Sequence, residues 1–374
     1  MACGEAGGFE VESASSGVQT LGVTSASSPS ARADADPPRK VLVVDLGFLG
    51  DTIHLIPALH ELRRHHSTAE LHVVTAPVGA EVLGLVRGID RVWLYPLGKP
   101  SPPWWRHLDL QWGLFRERFD LAVNFSGADR TLFVTAFAGV PRRVTRPCRR
   151  YRFWQRWLAG TVVPAPSREL PVFEQRRQVL AAAGYTLEPA RFDLEVPEVE
   201  RLWAAERVAA GSIHLSINAS SPFKEWPLAR WVELSRLLLA RPGVQLVATG
   251  SPQPREQARL AELAAQVADP RLQIITGSIS VARLAGVLSR CAVQVGTDSG
   301  VTHLAMALGL RTTSVFRDYA GLKEWRPPGE RHEAVVSPCQ CVDRSRMSPD
   351  CVAAGTALCL ERIRAEDVAR LVPE

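Results

Sequence analysis

Apolar residues along this chain follow two alternating patterns: short unbroken runs, and longer stretches with an apolar residue every three or four positions. The first run, Val41 to Val44, is continuous, as in a strand buried on both faces of a parallel sheet. A turn of Gly47, Phe48, Leu49, Gly50 and Asp51 follows. Ile53 to Leu62 then places Leu55, Leu59 and Leu62 on one helical face. Strands are expected at Leu71–Thr75, Ile89–Leu94 and Asp120–Phe125, a short helix at Glu81–Val86 and a longer one at Phe173–Ala183. The second half repeats the scheme. Ile213–Ile217 reads as a strand, followed by a polar loop and a helix that opens at Pro227 and carries Trp231, Leu234, Leu237 and Leu238. Further strands are expected at Val244–Thr249, Leu272–Ile275, Ala292–Val295 and, as the last clear one, Thr312–Phe316. Helices are expected from Glu256, over Val281–Leu288 and after Gly300. Strands alternating with helices in two rounds predict an α/β chain of two Rossmann-like domains, with parallel sheets whose loops face a central cleft. The prolines and extended pattern of Tyr185–Pro197 divide it into 39–192 and 193–374.

Composition narrows the partners. At 374 residues and 46% hydrophobic content, two packed domains are the expectation. A net charge of +5 is too mild to imply nucleic acid and favours a phosphate-bearing ligand. No apolar run reaches the length of a membrane span. Residues 1–38, rich in Ser, Ala and Gly, read as a disordered leader, with a start assigned too early as the alternative. Met1 to Glu12 has neither the basic region nor the apolar core of a signal peptide, so a cytoplasmic location is expected. Seven cysteines in so long a chain do not form a secreted disulfide scaffold.

Candidate chemistry gathers at the ends of the predicted strands. In CAVQVGTDSGVTHLAMAL (291–308) a buried strand ends in small polar residues and opens a helix, which leaves unpaired backbone N–H groups for an anion. Ser299 and Gly300 would let a phosphate approach, with Thr302 and His303 in the first turn. Asp298 would repel a phosphate and suits the hydroxyls of an attached sugar. In the second half's first loop, Ser220, Ser221 and Lys224 suit a diphosphate. Asp51, at the start of the first helix, is either its N-cap or a general base held at the cleft; His54 reads as a supporting residue. Asn124, Ser126, Asp129 and Arg130 also end a strand. Pro141 to Trp157 interleaves arginines (Arg142, Arg143, Arg149 and Arg150 among them) with Tyr151, Phe153, Trp154 and Trp157. That stretch suits a phosphorylated acceptor, anionic headgroups or single-stranded nucleic acid, or is a solvated basic face. Trp104 and Trp105 offer a second contact to an acceptor or a membrane surface, or pack on the domain. The glycines Gly47 and Gly50 lack the third member of a dinucleotide loop, which argues against a nicotinamide enzyme. Cys339, Cys341, Cys351 and Cys359 could hold zinc or iron as thiolates, or stand as reduced thiols.

The segments LGFLGDTIHLIPAL, NASSPFKEWP and VGTDSGVTHLA, in that order, resemble the ADP-heptose:lipopolysaccharide heptosyltransferases of glycosyltransferase family 9, over about Lys40 to the end. The resemblance implies a GT-B fold and inverting sugar transfer from ADP-heptose without a catalytic metal. It implies Asp51 as base and Lys224, Ser220 and Ser221 on the donor diphosphate. Asp298 would contact the donor sugar, Ser299, Gly300 and His303 the phosphates, and Glu256 and Gly277 the nucleoside. A phosphorylated glycolipid acceptor would dock at Arg142, Arg143, Arg149 and Arg150, with peripheral contact to the inner membrane and no nucleic acid. No cofactor would be needed for the chemistry, any zinc or iron at the tail being structural. The last helix, Ala365–Leu371, would return to the N-terminal domain. A non-catalytic nucleotide-sugar binding protein and a family member that glycosylates protein are the alternatives.

Overall fold

The computed structural model describes residues 37–97, 102–147, 151–339, 341 and 347–373; the leader up to residue 36, Arg149 and Arg150 lie outside the described residues. The first half runs β1 (Lys40–Val44), α1 (Leu49–His65), β2 (Glu70–Thr75), α2 (Pro77–Leu83), β3 (Arg91–Leu94), α3 (Leu108–Glu117), β4 (Leu121–Asn124), α4 (Asp129–Phe137), β5 (Arg142–Thr145), α5 (Phe153–Ala159), β6 (Thr161–Val162) and α6 (Val172–Ala182). The second continues α7 (Glu198–Ala205), β7 (Ser212–Ser216), α8 (Leu228–Leu239), β8 (Leu246–Thr249), α9 (Pro254–Val267), β9 (Leu272–Ile275), α10 (Val281–Ser289), β10 (Cys291–Thr297), α11 (Gly300–Ala307), β11 (Arg311–Asp318), α12 (Leu322–Trp325) and β12 (His332–Pro338). α13 (Pro349–Ala354), α14 (Leu358–Glu361) and α15 (Ala365–Ala369) close the chain.

Each half holds one six-stranded parallel sheet. The orders are β3-β2-β1-β4-β5-β6 and β12-β11-β10-β7-β8-β9. In both, the first strand of the half lies inside and the chain winds outward to each side, the doubly wound arrangement that opens a crevice at the carboxyl ends. β1 pairs with β2 and β4 through Val41↔Leu71 and Val41↔Leu121, and β10 joins β7 to β11. The expected two Rossmann-like sheets are therefore present.

α1 is the hinge of the arrangement. Leu55, Leu59 and Leu62, the face read from the sequence, pack with Val41, Val43, Leu71 and Val73 under the first sheet. Ile53 and Ile56 point the other way, into a cluster with Leu284 and Leu288 of α10 and Leu304 and Ala305 of α11. Buried on two sides, α1 carries apolar residues around most of its circumference, which blurs its amphipathic signal.

Three differences from the sequence reading have physical causes. A further strand, β12, pairs in register with β11 beyond the one read as last; its mixed, half-buried edge position hid it. The basic stretch forms β5 and most of α5, with the two-residue β6 just beyond it, short edge elements whose arginines are largely exposed. The expected return of the last helix to the first half is corrected: α15 packs on α8. Ala365, Val368 and Ala369 join the core of Trp231, Leu234 and Leu238. The Arg241 guanidinium donates to the carbonyls of Ala369 (2.6 Å) and Val372 (2.9 Å), satisfying the end of α15.

Candidate active site

A cavity of about 440 Å³ opens between the two sheets, lined by Leu49, Gly50 and Asp51 from the first half and by the loops after β7, β8 and β10 from the second. Asp51, Ser220, Lys224, Glu256, Asp298, Ser299, Gly300 and His303 all line it. The two halves meet so closely here that glycine is required twice. A Cβ on Gly50 would stand 2.9 Å from His303 Cδ2, and one on Gly300 would stand 2.6 Å from Leu49 Cδ2. Gly300 lines the cavity, and the absence of a side chain there lets Leu49 of α1 pack against its Cα side.

Asp51 sits at the third position of α1, with Phe48 as N-cap. Its Oδ2 accepts the Phe48 N–H at 3.0 Å, so it satisfies an orphan donor of the helix as well as facing the cleft. Its Oδ1 lies 3.6 Å from Arg176 Nη2, and its side chain keeps 28% exposure, enough to meet a ligand. Arg176 is itself committed to a buried ion pair with Asp45, at the carboxyl end of β1. Burial pushes the Asp45 carboxyl up, against the pull of Arg176.

On the opposite wall Lys224 Nζ contacts Asp298 Oδ2 at 2.9 Å and the Asp298 carbonyl at 3.3 Å. The Tyr319 hydroxyl donates to the same carboxylate at 3.3 Å. The lysine is thus held over the N-terminus of α11 by a counter-charge. Ser299 is the N-cap of α11 without a side-chain cap bond, and its Oγ lies 3.4 Å from Ser216 Oγ. Glu256 Oε2 accepts the Ser251 N–H at 2.9 Å, shaping the loop after β8.

Not every predicted residue reaches the cleft. The Ser221 hydroxyl accepts the Phe223 N–H at 3.3 Å and caps the 3-10 turn that presents Lys224. Gly277 turns the chain between β9 and α10 with φ +104 and does not line the cavity. Arg142 and Arg143 are corrected. They start β5, at the end of the sheet away from the cleft. Arg143 spends its guanidinium on the carbonyls of Val140 (2.6 Å), Leu158 (3.1 Å) and Trp157 (3.2 Å).

Other residues do converge there. Arg146, just past β5, donates to Gln175 Oε1 at 3.0 Å; burial, then Arg176, pull its affinity for the proton down, while Asp45, Glu324 and Asp51 oppose them. Glu324 of α12 accepts from Arg168 (2.8 Å) and Gln175 (3.1 Å), clasping the second half to the first. His54 Nε2 and His303 Nδ1 are 3.2 Å apart across the interface, with the Trp325 ring 5.5 Å from each. Burial, then His303 and Arg176, hold His54 neutral, well below its usual range. Asp45 was visible in the sequence as a lone acid at a strand end; Arg146 stood among equals in the basic stretch; Glu324 lay in a helix no periodicity marked.

The tail thiols converge. Cys339, Cys341, Cys351 and Cys359 are free, and all but Cys339 are buried. The Cys341 N–H points to Cys339 Sγ (3.4 Å) and the Ser348 N–H to Cys341 Sγ (3.3 Å). Burial raises the Cys339 and Cys359 thiols. Among the described residues the side chains close enough together for one ion are Glu70, His72 and Glu117, where Lys40 already lies 2.6 Å from Glu117 and 3.1 Å from Glu70. The sulfurs are gathered less tightly than that. Four cysteines, with N–H donors to the sulfurs of Cys339 and Cys341, are a donor set that would suit zinc or iron if deprotonated by the metal.

Two parallel doubly wound sheets with a cleft between their carboxyl edges, bearing an acid on one wall and a lysine over a helix N-terminus on the other, define the GT-B class of glycosyltransferase. A sequence model of glycosyltransferase family 9 (heptosyltransferase) matches residues 108–350, more than half of the chain. The chain belongs to that family. It is 27% identical over 289 residues to lipopolysaccharide heptosyltransferase 1 of Pseudomonas aeruginosa, covering 74% of this chain and 78% of that one. In fold it resembles the glycosyl transferase family 9 protein of Veillonella parvula (TM-score 0.72, 20% identity, 89% of this chain and 95% of that one). It also resembles the E. coli heptosyltransferase WaaC with ADP (TM-score 0.69, 17% identity, 88% and 98%). Among the described residues no helix is long and apolar enough to cross a membrane.

Proposed function

We propose that this glycosyltransferase moves a heptose from ADP-heptose to a hydroxyl of a lipopolysaccharide core acceptor, with inversion at the anomeric carbon. The observation that carries the reading is the placement of Asp51 and Lys224 on facing walls of one cavity. Relatives of the same fold were solved with ADP and with ADP-2-deoxy-2-fluoro heptose, which supports the donor class. Asp51 takes the proton of the acceptor hydroxyl as its oxygen forms a bond to the anomeric carbon. The bond from that carbon to the diphosphate oxygen breaks on the opposite face, and ADP leaves. Lys224, Ser220 and the first N–H groups of α11 stabilise the charge that gathers on the leaving diphosphate. Asp298 passes from Lys224 to the hydroxyls of the sugar, while Glu256 holds the loop beside the nucleoside. Ser221 acts by shaping the turn that carries Lys224. Arg146, at the carboxyl edge of the first sheet, replaces Arg142 and Arg143 as the cation for a phosphorylated acceptor.

The test is Asp51→Asn with ADP-heptose and a core acceptor. Turnover falls by roughly 10²- to 10⁴-fold and ADP affinity, measured by calorimetry, stays. Full turnover in the variant would reduce Asp51 to a helix-capping residue. The tail thiols, on the same reading, hold a structural zinc or iron that takes no part in transfer; elemental analysis returning no metal from a fully folded sample would leave them as reduced thiols.

A further inference from the structure

The exposed apolar side chains of the first half are not scattered. α3, α4 and α5 lie side by side, and each turns aromatic rings to solvent: Trp112 and Phe115, Phe133 and Phe137, Phe153 and Trp157. Phe153 is 88% exposed and Trp157 77%, so neither contributes to the fold's own packing. The rings follow one another across the helices. Trp112 stacks on Phe115 at 6.1 Å, and Phe115 lies over Gly139 just past α4. Phe133 stacks on Phe137 at 5.7 Å and on Trp154 of α5 at 5.9 Å. A contiguous apolar ridge of this kind marks a surface that is covered in use.

Charge says by what. Residues 108–159 contain ten arginines, no lysine and four acidic residues. Arg116, Arg118, Arg152 and Arg156 are exposed on these helices and their ends. Of the acids, Glu117 is paired with Lys40 and Arg91, and Asp129 accepts from Gln155. Tryptophan and phenylalanine beside arginine match the boundary between headgroups and acyl chains, with the guanidinium fork on the phosphates. A second copy of this face would set arginine against arginine. The face also adjoins the cleft: the Tyr151 hydroxyl, leading into α5, donates to the Arg146 carbonyl at 2.9 Å.

We propose that α3, α4 and α5 form a docking face for a bilayer whose surface carries anionic phospholipid headgroups. This deepens and rests on the reading above, because a glycolipid acceptor anchored in such a bilayer is then presented at the mouth of the cleft. The experiment floats the full chain with vesicles of phosphatidylcholine alone, and of phosphatidylcholine with about one third phosphatidylglycerol. The chain floats with the anionic vesicles. Arg152→Gln with Arg156→Gln lowers the partition coefficient on the order of 30-fold, about fivefold for each charge. Phe153→Ser with Trp157→Ser lowers it at least about tenfold. Calorimetric ADP binding is unchanged in both double variants, showing that they fold. The proposal is overturned by no flotation with either vesicle, by equal flotation of the variants, or by a dimer in light scattering that Trp157→Ser dissolves. Flotation without ADP binding by the unaltered chain would instead overturn the transfer reading and leave the docking face standing.

Discussion

The pairing of Lys224 with Asp298 yields the sharpest prediction, because each side chain answers a different question. The charges stand 2.9 Å apart with side-chain exposures of 15% and 8%, so solvent screens them little. Lys224→Ala leaves the Asp298 carboxylate buried with the Tyr319 hydroxyl still donating to it. Breaking such a pair costs about 3 kcal/mol, at the low end of the range for buried pairs because some exposure and the Tyr319 hydrogen bond remain. Asp298→Asn leaves the ammonium near the residue 298 carbonyl, with 15% of its side chain in solvent, and costs less. Combining the two substitutions recovers most of the loss, a coupling of about 2 kcal/mol. ADP affinity separates the roles. A charge-assisted bond from lysine to the diphosphate is worth about 1.5–3 kcal/mol, so Lys224→Ala weakens ADP binding on the order of 10- to 150-fold. Asp298→Asn removes an anion that competes for the lysine, so ADP binds as well or better, while ADP-heptose loses the preference it gains from its sugar. Thermal unfolding of the four proteins and calorimetry with both nucleotides make the measurement. If Asp298→Asn weakened ADP as much as Lys224→Ala does, the aspartate would be part of the diphosphate cradle and the argument would be wrong.

Two further outcomes follow from the interface and from its histidines. Gly300→Ala forces the new Cβ against Leu49, at a cost of about 1–3 kcal/mol, and lowers turnover by displacing α1 and Asp51; Leu49→Ala in the same chain removes the Cδ2 and Cγ contacts but keeps the Cβ 2.9 Å away, so it recovers part of both losses, and a double variant no better than Gly300→Ala would refute the close-approach argument. His54 and His214 are buried and held neutral, His214 down at about 3, so the unfolded chain binds more protons below its ordinary histidine range. Stability is therefore complete above about pH 6.5 and falls as the pH drops below it, by about 1.4 kcal/mol per pH unit for each histidine, the His214 share being fully lost near pH 3. Denaturant unfolding against pH shows the slope, and His214→Gln reduces it by one proton's worth; an unchanged slope would remove His214 from the account.

The parallel sheets were legible because their central strands are unbroken apolar runs: Val41–Val44 cannot sit at a surface. The placement of Lys224, Asp298 and Ser299 on one wall of the cleft was equally legible, since they fall in loops directly after such strands. The edge elements were not. β5 and β12 are half exposed and β6 is two residues long, so their composition carries no period. Which arginine of the basic stretch lies toward the cleft was not legible, for a related reason. Seven arginines in seventeen residues look alike in one dimension, and only the register of β5 separates Arg142, at the far end, from Arg146, at the cleft. Glu324 and His54 were hidden because their partners, Arg168, Gln175 and His303, come from the opposite half of the chain.

Both walls of the cleft use the same electrostatic device. Each sets a working charge beside a buried counter-ion that belongs to the protein: Lys224 beside Asp298, and, behind Asp51, Arg176 held by Asp45. The second case bears on reactivity. A proton acceptor must keep a free oxygen toward its substrate, and Arg176, left alone in the interior, would seek the nearest carboxylate. Asp45 supplies one, buried and unable to reach the cleft, and Asp51 stays 3.6 Å from the guanidinium. Asp45→Asn removes that competitor. Arg176 then closes on Asp51 and takes up the oxygen that should meet the acceptor hydroxyl. Turnover falls roughly tenfold, as expected when one positioned base is misdirected but not deleted, while ADP affinity and the acceptor KM hold. The stability cost stays below the roughly 3 kcal/mol of an unpaired buried guanidinium, because Asp51 takes the place of Asp45, and is read in parallel by thermal unfolding. A variant that loses that stability yet keeps full turnover would show that Asp45 braces the sheet and has no part in aiming Asp51.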